Sequence, residues 1–213
     1  MFYAAAKRSI WRIMPRRYSM AKREEATDRT RGRIEDALIR LLGSRPYNDI
    51  TVVEIAAEAD VAVRTVQRRY RTKDDLLLDA CLRRTPSVTE QLQGLSAKSA
   101  QGLVQSLVRA LFDFYEQHNT ECWALHSRAA EVPKVRGALH TLIASRMSSL
   151  AELMTRWPDA WSVDGSLAAR TLVALTSYPA WRGFTESGRF SPAGATDEVV
   201  YILSQRLLRP SQA

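Results

Sequence analysis

The sequence is poor in cysteine: Cys81 and Cys122 are the only two among 213 residues. A disulfide-stapled secreted domain needs more cross-links than one pair can give. Both cysteines also fall inside apolar helical patterns, so free thiols in the reducing cytoplasm are expected. No apolar run approaches the roughly 18 residues that a membrane span requires, so no membrane partner is expected. Alternating apolar and polar residues, the mark of half-buried strands, are nearly absent. The three histidines, His118, His126 and His140, share no tight ligand spacing, and no metal site is expected from them. No serine, cysteine or carboxylate stands in a recognisable catalytic arrangement. The expectation is therefore a chain with no cofactor and no enzymatic activity.

Acid is missing from residues 1–23, which carry seven basic side chains: Lys7, Arg8, Arg12, Arg16, Arg17, Lys22 and Arg23. Residues 24–85 hold twelve basic and twelve acidic groups, and residues 86–213 twelve against eleven. The formal charge of +8 thus sits almost wholly in an N-terminal segment. That segment lacks the apolar core of a signal peptide. It reads as a disordered basic arm, or as an extension ahead of a true start at Met20, although its composition is also that of an organellar transit peptide. One further basic cluster lies inside the neutral part: Arg64, Arg68, Arg69, Arg71 and Lys73, within VRTVQRRYRTKDDL. A basic arm beside a basic helix points to a polyanion, most often nucleic acid.

Apolar residues make up 46% of the chain, enough to build a sizeable core, and their spacing is helical throughout. Ile34, Ala37, Leu38, Leu41 and Leu42 form one stripe of a helix from Asp28 to Leu42, which Gly43 ends. Thr51-Val-Val-Glu54 has capping-box spacing and opens a short helix to Glu58. Asp60 marks a tight turn, and a third helix follows from Val63 to Arg69. Thr72-Lys-Asp-Asp75 caps a fourth. Downstream, helices are expected over Leu103–Phe114, Glu121–Ala130, Pro133–Trp157, Gly165–Ser187 and Thr196–Arg209, with Pro179 kinking or breaking its helix. The fold class is all-α: a basic arm (1–23), a helical head (24–72) and a larger helical body (73–213).

Thr51–Glu58 and Val63–Arg69 have the lengths and spacing of a helix-turn-helix, whose second helix leads into the DNA major groove. Ile55, Ala56, Ala59, Val61, Val66 and Tyr70 lock the pair. Val63, Arg64, Thr65, Gln67, Arg68 and Arg69 are left largely outward, and arginine and glutamine suit guanine and adenine edges respectively. Lys73, beside a helix start, is placed to hold a phosphate.

From Leu41-Leu42-Gly43 through Tyr47, Thr51-Val52-x-Glu54-Ile55-Ala56, Ala59-Asp60-Val61, Thr65-Val66, Tyr70 and Thr72-Lys73-Asp74-Asp75-Leu76, the sequence resembles the TetR family of transcriptional repressors. The resemblance covers about residues 28–82 without gaps. The sequence departs from the family at Asp60, which replaces a glycine, at Ala62, which replaces a capping serine or threonine, and at Arg64, Gln67 and Arg69. The reading surface is consequently richer in arginine, and guanine-rich half-sites are expected. The candidate DNA-contact set is Thr51, Val63, Arg64, Thr65, Gln67, Arg68, Arg69, Tyr70 and Lys73.

The resemblance further implies a homodimer on a near-palindromic double-stranded DNA operator, with a body that dimerises and binds a small-molecule effector. Leu167, Thr171, Ala174, Leu175, Val199, Ile202 and Leu203 are the candidate dimer interface. Phe112, Tyr115, Trp123 and Tyr178 are the candidate ligand-pocket walls. Two other readings stay open: an architectural DNA-binding protein with the same head, and a helical carrier or enzyme whose body does the work.

Overall fold

The computed structural model describes residues 16–84 and 97–210, and among them every regular element is helical. The head comprises α1 (Arg16–Leu42), α2 (Val52–Glu58), α3 (Val63–Arg69) and also α4 (Lys73–Arg84), which the expected boundary at residue 72 assigned to the body but whose leucines share the head's core. The body comprises α5 (Ala100–Gln117), α6 (Asn119–Glu131), α7 (Pro133–Met154), α8 (Gly165–Leu175), α9 (Tyr178–Arg182) and α10 (Pro192–Leu207). No described helix is long and apolar enough to cross a membrane. Trp161 and Leu208 form an isolated antiparallel bridge that ties the start of α8 to the end of α10.

α1 begins twelve residues ahead of its expected start at Asp28. Its extra turns, Arg16–Thr27, contain neither glycine nor proline and so favour helix. They carry no apolar stripe, however, and so give no periodic signal. Residues 1–15 of the expected arm lie outside the described residues. The helix expected over Gly165–Ser187 is divided: α8 ends at Leu175, Ser177 caps Ala180, and Pro179 sits in the first turn of α9. Proline is tolerated there because the first-turn N–H groups have no helical partner. α9 then widens into a π-helical turn, Gly183–Ser187.

Two buried clusters organise the chain. The body's core, built on α5 and α10, contains Leu103, Leu107, Leu111, Phe112, Leu150, Leu172, Val199 and Leu203. The head's core contains Ile34, Leu38, Ile55, Val66, Leu76, Leu77 and Cys81, and it continues into Leu125 of α6 and Leu139 of α7. α4 buries Leu76, Leu77, Leu78, Ala80 and Cys81, so it is enclosed on most of its circumference by α1 on one flank and α6 and α7 on the other.

One carboxylate is sunk into the head. Glu35 is 4% exposed. It accepts from Arg31 Nε at 2.8 Å and from the Tyr70 hydroxyl at 2.9 Å, while Arg83 of α4 stands 3.5 Å from its other oxygen. A buried charge is tolerated only when its lone pairs are engaged, and these donors come from α1, the end of α3 and α4. Tyr70→Phe should therefore cost about 1.5–3 kcal/mol of stability, since hydrogen bonds to charged groups are worth that much. A urea titration would register it as a lower midpoint with an unchanged slope.

Candidate nucleic-acid interface and ligand cavity

The head's helix-turn-helix is pinned at both ends. At the N-terminus of α2 the capping box is complete: the Thr51 hydroxyl oxygen accepts from Glu54 N at 3.2 Å, and Glu54 Oε2 accepts from Thr51 N at 2.8 Å. Arg45 Nη1 holds the other Glu54 oxygen at 2.9 Å, and these donors together keep the Glu54 carboxyl below its ordinary pKa, the Thr51 contacts foremost. At the turn, Asp60 has φ 51, a left-handed conformation, and Val61 N donates to Ala56 O at 3.0 Å. Arg33 reaches across from α1 and donates to the Ala59 carbonyl at 2.6 and 3.0 Å, to the Asp60 carbonyl, and to the Asp60 carboxylate at 3.1 Å. An arginine clamp thus steadies a turn that has no glycine. α3 starts at Ala62 with no side-chain cap, as expected from the missing hydroxyl.

The head's arginines divide into two groups. Arg31, Arg33, Arg40, Arg45 and Arg83 each pair with a carboxylate of the head. Arg64, Arg68, Arg69 and Arg71 make no ion pair among the described residues. Arg64, Gln67, Arg68 and Arg71 are exposed and Val63 is half-buried; Arg64, Gln67 and Arg68 fall at i, i+3 and i+4, one face of α3. Thr65, Arg68 and Arg69 also line a cleft of about 530 Å³ against Ala26, Thr27 and Thr30 of α1. The arrangement offers a row of unneutralised guanidinium groups along a short projecting helix, with hydroxyls beside it.

Three candidate contacts sit differently. Tyr70 is buried, and its hydroxyl is committed to Glu35. Lys73 Nζ donates to the carbonyls of Tyr47 and Ile50, both at 2.7 Å, and lies 4.1 Å from the centre of the Tyr47 ring. It closes the 3₁₀ turn Tyr47–Asp49 that precedes α2, so it does not extend a free amine to a phosphate. Burial, then the charge of Arg128, lowers its pKa. Thr51 is exposed, but its hydroxyl is engaged in the cap.

In the body, a cavity of about 360 Å³ opens between α5, α6, α7 and α8. Its walls are mainly apolar: Leu111, Leu125, Leu139, Leu142, Ile143, Met147 and Val173. Tyr115 and Tyr178, two of the candidate pocket walls, line it with their rings edge-to-face at 5.5 Å. The Tyr178 hydroxyl donates to Asn119 Oδ1 at 2.6 Å, and burial pushes its pKa up to about 12. His126 stacks on Tyr178 at 5.0 Å; burial first, and Arg146 second, lower its pKa, favouring the neutral imidazole. The Cys122 thiol in the same wall is pushed up to about 12 by burial and so stays protonated.

Two candidate walls lie elsewhere. Phe112 is 2% exposed and packs in the body's core, outside the cavity lining. Trp123 is half exposed on the far side of α6, with the Arg182 guanidinium 3.7 Å above its ring, beside a polar cleft that also touches Arg128 and Tyr47. Arg146, which sequence reasoning missed, lines the cavity. The signal was present: it occupies a position of the Leu139, Leu142, Ile143, Met147, Leu150 stripe where an apolar residue would be expected. Of the candidate dimer residues, Val199 and Leu203 are fully buried in the chain's own core, because α10 turns that stripe onto α5. Ala174 is exposed, and Leu167, Thr171, Leu175 and Ile202 are half-buried, so they stay open to a partner. Among the described residues no group of histidine, cysteine and carboxylate side chains could hold a metal ion.

The turn supplies a test. In the left-handed region a Cβ costs about 1 kcal/mol or more, whereas glycine is free of that cost. Asp60→Ala should therefore unfold at lower urea than Asp60→Gly, although both lose the carboxylate that Arg33 holds.

Residues 34–80 match the family described as bacterial regulatory proteins, tetR family. No curated protein matches the sequence. Among solved structures, NalD of Pseudomonas aeruginosa, the secondary repressor of the MexAB-OprM multidrug efflux pump, superposes with a TM-score of 0.71 at 18% identity, covering 87% of this chain and 98% of its own. A transcriptional regulator from Rhodococcus sp. gives a TM-score of 0.66 at 18% identity, covering 84% of this chain and 99% of its own. FadR of Bacillus subtilis, solved with stearoyl-CoA, gives a TM-score of 0.66 at 14% identity, covering 81% and 96%. At such identities the structures speak for the fold, and the sequence match speaks for the head. The head, residues 34–80, thus matches the tetR family of bacterial regulatory proteins, and it is set on a fold shared with such regulators along nearly the whole chain.

Proposed function

We propose that the protein is a ligand-responsive transcriptional repressor that binds a near-palindromic operator as a homodimer and is released by a small-molecule effector. One observation carries the DNA-binding part: the arginines of α3 and its following turn make no ion pair among the described residues, while the other head arginines with described side chains each pair with a carboxylate. A head that neutralises its described arginines except on one short helix leaves that helix suited to a polyanion. Arg64, Gln67 and Arg68 are the base-reading residues, and Arg69, Thr65 and the cleft beside α1 follow the phosphate backbone.

Effector response follows from shared walls. Leu125 and Leu139 line the cavity and are also part of the head's core, where they lie in one cluster with Leu77 and Cys81 of α4. Arg128 of α6 pairs with Asp74 at 3.2 Å and stacks 5.3 Å from the Tyr47 ring, and Lys134 of α7 pairs with Asp75. A molecule that spreads α6 and α7 must therefore move α4, and α4 sets the spacing between the two heads of a dimer. The ligand acts only through its preference for one of the two arrangements. Dimerisation is assigned to the outer faces of α8 and α10, where Tyr201 is 62% exposed beside the half-buried Ile202, and Leu167, Thr171 and Leu175 are half-buried. NalD is a repressor and FadR was solved with an acyl-CoA, and both descriptions favour this reading.

The test is binding of the purified protein to the DNA upstream of its own gene, against random DNA, across a salt series. Specific binding that weakens steeply with salt is expected, and equal binding to both DNAs would favour an architectural role. Arg64→Ala and Arg68→Ala should each reduce the preference for specific DNA by about 1–3 kcal/mol. Lys73→Met should lower the melting temperature and leave the salt slope unchanged, because its amine serves the turn before α2. Tyr201→Glu should shift the mass measured by light scattering from dimer to monomer.

A further inference from the structure

The body's cavity contains a charge that the fold leaves without a counter-charge. Arg146, on α7, is 7% exposed and lines the cavity. Its Nη1 donates to the Thr176 carbonyl at 3.3 Å and its Nη2 to the Tyr115 hydroxyl at 3.2 Å. Its Nε is buried with no hydrogen-bond partner among the described residues. Neither aspartate nor glutamate lines the cavity, and Arg146 makes no ion pair among the described residues. Of the other half-buried arginines, Arg31, Arg45, Arg128 and Arg182 each have a carboxylate within 3.2 Å, and Arg69, on the DNA-reading helix, also makes no ion pair among the described residues.

A guanidinium cannot shed its proton, and removing one from water without an anion is strongly unfavourable. Its two contacts are neutral and do not cancel the charge. The remaining N–H groups form the planar fork that matches a carboxylate. Around it the site offers neutral polar groups, the Tyr115 hydroxyl and the His126 imidazole, and then a wall of leucine, isoleucine, methionine and valine side chains. A volume of about 360 Å³ is near the lower end of the roughly 300–1,000 Å³ range of ligand pockets.

We infer that the cavity binds an apolar monocarboxylate, with its carboxylate on Arg146 and its hydrocarbon or aromatic body against Leu111, Leu142, Ile143 and Met147. Alternative ligand classes fit less well. A cation would be repelled by Arg146 and, at the mouth, by Arg170, and a neutral apolar molecule would leave the guanidinium uncompensated. A polyanion would leave its further charges facing an apolar wall. This inference rests on the effector reading of the cavity for its consequence, but the binding itself can be measured without DNA.

The experiment is calorimetric titration of the full chain with decanoate and with 3-phenylpropanoate, each against its own methyl ester, which keeps the apolar body and removes the charge. At least one acid should bind at least about tenfold more tightly than its ester, the difference expected of a hydrogen bond to a charged group. Arg146→Met should erase that preference by weakening the acid and sparing the ester. Replacing a buried charge by an apolar residue of similar length is compatible with folding. Should Arg146→Met nevertheless fail to fold, Tyr115→Phe and the acid–ester comparison on the unmodified chain still decide the matter. Which acid binds separates a fatty-acid source from an aromatic one. Equal binding of acid and ester, no binding of either acid, or an acid preference that survives Arg146→Met would overturn the inference. DNA binding, measured on the same preparations, is independent. Loss of operator recognition with intact acid binding would remove the repressor reading alone, and the reverse result would remove the carboxylate site alone.

Discussion

The structure depends on one packing constraint: α4 is enclosed on most of its circumference. Leu76, Leu77 and Leu78 are buried, with α1 packed on one flank and α6 and α7 on the other, so the helix ties the DNA-reading head to the cavity walls. Close-packed interiors transmit displacement because they have almost no slack to absorb it. A rigid link of this kind is what the proposed effector response would act through. The ion pairs of Arg128 with Asp74 and of Lys134 with Asp75 fix the register of that link at the first turn of α4. Both lie near the surface and contribute modestly by themselves. Their value is geometric, since they hold the same turn whose Lys73 closes the 3₁₀ segment before α2.

Buried charge appears twice, with opposite solutions. In the head, Glu35 is surrounded by Arg31, Arg83 and Tyr70, and the site is complete within the chain. In the body, Arg146 is equally sequestered, yet the chain supplies only a carbonyl and a hydroxyl. The first arrangement belongs to an element that must keep one conformation. The second belongs to a compartment that completes its electrostatics from outside.

The head was legible in the sequence because its signals are local. Thr51 and Glu54 are three residues apart, Asp60 sits at a turn, and Ile55, Ala56, Val66 and Tyr70 recur at helical spacing, and each played the structural part its position indicated. The failures share a different origin. A periodic stripe states that a face is buried and is silent about what buries it. Val199 and Leu203 therefore resembled an intermolecular seam until α5 was seen to cover them. Phe112 and Tyr115 are three apart on one helix, yet only Tyr115 reaches the cavity, a difference fixed by the neighbouring helices. Lys73 resembled a phosphate ligand because its carbonyl partners, Tyr47 and Ile50, are more than twenty residues away in sequence. The polar first turns of α1 carried no stripe at all.

Leu125 and Leu139 serve two masters, and this limits how the protein can change over evolutionary time. Altering either one to reshape the cavity also alters the packing beneath α4, so a new ligand preference reached that way would arrive together with a change in operator affinity. Ile143 and Met147 line the same cavity and are absent from the head's core. Drift in ligand preference at an unchanged operator is accordingly open along that side of α7, where the two traits come apart.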